Sequence, residues 1–197
     1  MLKAFTAKKE VHRVVKVGFL LLALLFVVAA VVPMLGIFPL DAIKDEVVNM
    51  LSTPFSMENQ LGLCIYILLK NTLALLVIAF LSAPLIGIPL VMFILTNGVI
   101  MGVVLFDAVQ SNIPVAVLVG GLLPHGVFEL TAVAIALGLG YRQAGKFLGS
   151  IKFKNIRPDS LSLRLFGTVI MPLLVVAAVV ETWITPLVMW KIMEIVI

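Results

Sequence analysis

The stretch IPVAVLVGGLLPHGVFELTAVAIALGL, residues 113–139, decides the fold. It is 27 residues long, apolar nearly throughout, and exceeds the roughly 20 residues that a helix needs to cross a bilayer. Within it lie Gly120-Gly121, Pro124, and an ionisable pair, His125 and Glu129. Residues four apart share one face of a helix. Ionisable side chains at membrane depth are costly, so they normally face a bundle interior or a cavity and carry a role. Proline removes a backbone hydrogen bond and clashes with the preceding turn. The segment is therefore expected to be kinked or re-entrant near Gly120–Pro124, and a re-entrant leg requires cover from protein or water.

Four further apolar runs lie on either side of this one. They predict an all-α, polytopic transmembrane bundle of about five spans, near residues 14–35, 61–81, 86–106, 113–140 and 165–185. The 197 residues suggest one integral membrane domain, 1–197. Only 12% of the residues are charged and 62% are hydrophobic, which excludes a soluble domain. Val31-Val32-Pro33-Met34 lacks the small residues of a signal cleavage site, so the first span is expected to be retained. Leu40 to Asn49 mixes acidic residues with Ile43, Val47 and Val48 and suggests a short helix on the membrane surface. Asn112 before Pro114 is a helix-start signal, and Tyr141 to Arg164 reads as a polar loop.

The net charge of +4 does not indicate nucleic acid, because the basic residues cluster at the ends of apolar runs. Lys3, Lys8, Lys9, Arg13 and Lys16 precede the first span; Arg142, Lys146, Lys152, Lys154, Arg157 and Arg164 lie between the fourth and fifth. Only Lys44 and Lys191 fall on the other side. With five spans, this bias predicts a multi-pass cell-membrane protein with a cytoplasmic N-terminus and an extracytoplasmic C-terminus. Trp183 and Trp190 serve as interfacial anchors. The single cysteine, Cys64, excludes an intrachain disulfide and reads as a small buried hydrophobe.

The polar residues at membrane depth are Lys70, Asn71, Asn97, His125, Glu129 and Glu181. His125, Glu129, Glu181, Asn71 and Asn97 are the candidate intramembrane polar cluster. If His125, Glu129 and Glu181 converge, they offer one imidazole and two carboxylates, a donor set for a divalent cation or a proton relay. The alternative is a hydrogen-bond network that fixes helix packing. A zinc-protease helix would carry H-E-x-x-H, whereas this chain has H-G-x-x-E and a single histidine within the spans. No nucleophile elbow, phosphate loop or paired-aspartate motif occurs, so neither enzymatic activity nor an organic cofactor is expected. Gly98 and Gly102 in span three, and Ala132, Ala136 and Gly140 in span four, are small-residue ridges for close helix approach. Gly126 and Gly138 join them as packing glycines. Packing within the protomer is preferred to homodimerisation, and the Asn97 amide is expected to bond across the contact at Gly98.

The segment Leu123-Pro124-His125-Gly126-Val127-Phe128-Glu129-Leu130-Thr131-Ala132, followed by Gly138 and Gly140, closely resembles the stage II sporulation protein M family. Asn71, Asn97-Gly98, Gly102, and Glu181 with Thr185-Pro186 match in order, so the resemblance covers roughly Leu61 to Pro186. It implies a polytopic membrane protein. In spore formers the founding member takes part in engulfment, recruiting a lytic transglycosylase and an amidase/endopeptidase to the membrane. The family also has archaeal members whose role is not established. Two functions are carried forward. One is a membrane scaffold whose envelope-side surface, Leu40–Asn59 and the tail after Pro186, binds protein partners. The other is a transporter or channel passing a small ion or solute along the His125, Glu129 and Glu181 cluster.

Overall fold

The computed structural model describes residues 2–35, 59–111, 113–149 and 159–196. The expected surface helix at Leu40–Asn49 and the start signal at Asn112 lie outside the described residues. Among the described residues there are helices and no strands. Helix α1 is Leu2–Val31, closed by a 3-10 turn at Val32–Leu35. Helix α2 is Gln60–Leu76 and continues as a π-helical turn, Val77–Leu81. Helix α3 is Ile88–Gln110 and α4 is Val115–Leu148. The fifth rod has three helical pieces, α5 (Ser160–Leu165), α6 (Met171–Val179) and α7 (Thr185–Val196). Two π-turns, Phe166–Ile170 and Val180–Ile184, join them. Among the described residues, five helices are long and apolar enough to cross a membrane, as the apolar runs predict.

The ends follow from local chemistry. Asn59 caps α2, its Oδ1 accepting from the amides of Leu61 and Gly62 at 3.0 and 3.3 Å. Between α2 and α3, Ser82 to Gly87 forms a tight turn in which the Gly87 amide donates to the Ser82 carbonyl at 2.7 Å. Gly87 has φ +80°, natural for glycine, but Ile86 has φ +52°, a left-handed conformation that a β-branched side chain rarely adopts. Asp159 caps α5 through the Ser162 amide at 3.0 Å.

The three π-turns have a common cause. Each is followed within three residues by a proline, Pro84, Pro172 or Pro186. A proline ring cannot donate and collides with the carbonyl four residues back, and widening the turn relieves that collision. Ser82, Thr168 and Thr182 each donate a hydroxyl to the carbonyl four residues earlier, at 2.6, 2.8 and 2.8 Å. Such hydroxyl bonds to the preceding turn bend and loosen a helix.

Helix α4 runs through the middle, touching α1, the π-turn of α2, α6 and α7. Residues 132–140 are buried on every side. Around them lie Val14, Leu22 and Leu25 of α1, Leu75 and Ile78 of span two, and Ile170 and Leu174 of the fifth rod. Phe80 and Phe166 add a tilted ring pair with centroids 5.3 Å apart. Cys64 is buried in a satellite cluster with Ile67 and Ala178. The many exposed apolar side chains on the outer faces, such as Leu69, Leu73, Val115 and Leu187, are what a lipid-facing surface requires.

Close approach is arranged by small residues. On α1 and α4 it is reciprocal: a Cβ on Gly18 would collide with the carbonyl of Ala134, and one on Gly138 with the carbonyl of Val14. Val14/Gly18 and Ala134/Gly138 are two i, i+4 pairs crossing one another. Gly140 faces a different neighbour, the Ile78 carbonyl and Ser82 Oγ of span two. Gly98 of α3 lies against Leu25 and Val28 of α1, and Gly102, one turn on, is buried.

Four expectations need correction. Span four is not re-entrant: α4 is one uninterrupted helix through Pro124. Gly120 and Gly121 instead admit Ile192, Val188 and Met189 of α7, so the glycines serve close packing and the span has no break there. The region Tyr141–Arg164 is not all loop, because α4 continues to Leu148 with Gln143, Ala144 and Phe147 buried, and α5 starts at Ser160. Gly126 is not a packing glycine, since a Cβ there would meet nothing within 4 Å. Finally, the Asn97 amide does not bond across to α1; it donates to the Phe93 carbonyl of its own helix at 3.0 Å.

Candidate functional site

Three elements at similar depth form the cluster. Lys70 on α2 and His125 on α4 each lie about ten residues, roughly 15 Å, along their helices from Gln60 and Val115. Glu129 is one turn further along α4 on the face of His125. Glu181 is carried by the π-turn Val180–Ile184. The fifth rod passes α4 closely here because Gly120 and Gly121 offer no side chain. One ligand atom from each of His125, Glu129 and Glu181 lies within 4.8 Å of the others, and all three residues are half-buried.

Two neighbours complete the group. Thr185, one turn after Glu181, holds His125: its Oγ1 lies 3.2 Å from Nδ1 of the ring. Lys70 is exposed on the protein surface, yet its ammonium acts electrostatically on both Glu129 and Glu181. The group thus holds two carboxyl groups and one amine, with an imidazole between. Neither Lys70 nor Thr185 was placed in this cluster by sequence alone. The signal for Lys70 was present, a lysine ten residues into an apolar helix, but depth says nothing about which neighbour a helix faces. Asn71 is half-buried beside Lys70, whereas Asn97 lies on α3 and its amide serves its own helix.

This arrangement can hold a cation. A first-row divalent ion with bonds of about 2.0–2.1 Å, held tetrahedrally, needs donors about 3.4 Å apart. The present spacing requires closure of up to about 1.4 Å, which glutamate rotamers supply. The group offers an imidazole and two carboxyl groups, donors for a cation or carriers for a proton.

A second polar assembly lies at the opposite end of the spans. Arg142 of α4 donates to Glu10 of α1 at 2.7 Å and pairs with Asp159 at 2.6 Å. Lys146 also pairs with Asp159. Ser162 Oγ receives Gln143 Nε2 at 3.2 Å and donates to Asp159 Oδ1 at 2.7 Å. Burial pushes the Asp159 carboxyl upward, but hydrogen bonds from Lys146, Ser162 and Arg142 outweigh it and hold the group well below the usual carboxylate range. Beside this network a cleft of about 350 Å³ opens between α1 and α4, with Glu10, Arg13, Tyr141 and Arg142 in its lining.

Fold and site together define a polytopic helical membrane protein with an ionisable cluster inside its spans. The chain belongs to the Stage II sporulation protein M family, whose sequence model matches residues 7–186. It is also similar to the uncharacterized protein MJ0793 of Methanocaldococcus jannaschii, 27% identical over 126 residues, which cover 60% of this chain and 69% of that protein. No solved structure matches it.

Proposed function

We propose that this protein is a non-enzymatic scaffold of the cell membrane that anchors protein partners on the envelope side. The family match over residues 7–186 carries this reading. The orientation we assign is N-terminus cytoplasmic and C-terminus extracytoplasmic, from the basic residues gathered before the first span and between the last two. Partner binding then falls to the connection between spans one and two and to the chain beyond Pro186. A sequence without a nucleophile elbow or a two-histidine zinc motif supports a holding role. The transport reading loses the broken helix on which it rested, because α4 is continuous at Gly120–Pro124.

Crosslinking in native membranes followed by purification under mild detergent tests the scaffold. The expected result is one recurring envelope protein at fixed stoichiometry, lost when the chain beyond Pro186 is replaced by an unrelated polar tail. A chain that purifies alone across lipids, detergents and crosslinker lengths counts against a scaffold.

A further inference from the structure

The His125, Glu129 and Glu181 group poses a physical problem that packing alone does not solve. Glu129 sits 14 residues, roughly 21 Å, into α4, Glu181 lies beside it on the fifth rod, and protein covers both only in part. Hydrocarbon does not solvate a carboxylate, so charge at this depth requires a partner. Lys70 supplies one positive charge, from an exposed position on a flexible stem. The donors are mixed, one nitrogen and two oxygens, and they converge from two separate rods. One imidazole with two carboxylates suits zinc and neighbouring first-row ions.

Two independent features are built around the donors. The π-turn Val180–Ile184, forced by Pro186, sets the azimuth of Glu181 on the fifth rod. Thr185, immediately beyond it, fixes the His125 ring through Nδ1 at 3.2 Å. A hydrogen-bond acceptor on one ring nitrogen orients a histidine so that its other nitrogen can ligate a metal.

From these observations we propose that His125, Glu129 and Glu181 bind one first-row divalent cation, zinc foremost, that ties α4 to the fifth rod inside the membrane. The two carboxylates neutralise the ion, and Lys70 is the competing cation that balances the empty site. The ion is therefore a structural clamp at a helix crossing, with Thr185 as a positioning residue. It is independent of whether the protein is a scaffold.

The test uses the full chain, free of affinity tag, in lipid nanodiscs after chelator treatment. Co²⁺ is the probe, because its ligand-field absorption reports coordination geometry, and Zn²⁺ then competes for the site. One Co²⁺ per chain with a tetrahedral spectrum is expected, displaced by Zn²⁺ and not by Mg²⁺. E129Q and E181Q should weaken binding about 100-fold, and T185V about tenfold. K70M should tighten binding, whereas a merely structural lysine would leave it unchanged. E10Q, at the far end, should bind as wild type does. Far-ultraviolet dichroism identifies any variant that fails to fold, and T185V with K70M still decides the question if a carboxylate variant does. Wild-type protein without such a spectrum overturns the proposal, and so does binding that survives E129Q and E181Q.

Discussion

Replacing a glycine of α4 by alanine should change stability in opposite directions at two positions twelve residues apart. At either position alanine lowers the entropy of the unfolded chain and favours helix by about 0.5–1 kcal/mol. At Gly126 nothing lies within 4 Å of the new Cβ, so this gain stands alone and G126A should be more stable by about 0.5–1 kcal/mol. At Gly138 the new Cβ would collide with the backbone carbonyl of Val14, with Val14 Cγ1 also at 3.1 Å. Backbone cannot rotate away as a flexible side chain does, so α1 and α4 must separate. Overpacking of this kind costs about 1–3 kcal/mol, and the separation also loosens the reciprocal contact of Gly18 with Ala134. The net expectation for G138A is a loss of up to about 2.5 kcal/mol. Unfolding by SDS in mixed micelles, followed by the fluorescence of Trp183 and Trp190, measures both. G18A should resemble G138A, and the double variant should lose less than the sum, because one displacement relieves both collisions. Shifts of equal sign at Gly126 and Gly138 would refute the account of the α1–α4 crossing.

Three other outcomes follow from the same structure. Ile86 holds a left-handed φ of +52°, which costs a branched L-residue about 1–2 kcal/mol, so I86N should raise the SDS midpoint by the equivalent of about 1 kcal/mol; no gain would mean the turn is unstrained. Asp159 has a carboxyl held below its ordinary range, so its contacts stabilise fully above the unfolded value near ~4, and that stability is lost as pH falls below it. Melting of D159N should accordingly be lower at pH 7 and flatter towards acid than wild type, and parallel curves would exclude the network as the cause. In P186A an amide is restored that can reach the Thr182 carbonyl, so the π-turn should revert to α and the new amide should be protected from hydrogen exchange; rapid exchange there would show that proline does not set the turn.

The five spans were legible because each apolar run matches the thickness of a bilayer, a constraint that acts on the chain before any tertiary contact forms. Their ends were less so. Helix α4 extends through Tyr141–Leu148 because Gln143 and Phe147 are buried by neighbours, and polarity alone does not reveal that. The pairing of His125 with Glu129 could be read from spacing, and Glu181 from depth. Lys70 and Thr185 could not be placed, since hydropathy gives depth along a helix and not the direction it faces. The same gap separates Gly138 from Gly126: both are glycines in one apolar helix, and only the neighbours distinguish a contact from open space. Proline was read as a breaker everywhere. At Pro124 the helix continues as α, while at Pro84, Pro172 and Pro186 the preceding turn widens, with a serine or threonine hydroxyl bonded nearby.

Those widened turns give the fifth span two joints. Each adds about one residue per turn and rotates everything beyond it by about 100° relative to a regular helix. The lower joint, Phe166–Ile170, faces the core through Phe166 and Ile170 and is locked there. The upper joint, Val180–Ile184, carries Glu181 and stands between α6, which buries Leu174, Ala177 and Ala178, and an α7 that is mostly exposed. The segment beyond it, Thr185–Val196, packs on α4 at Gly120 and Gly121, so this one turn sets both the direction of Glu181 and the seat of α7 on the same helix.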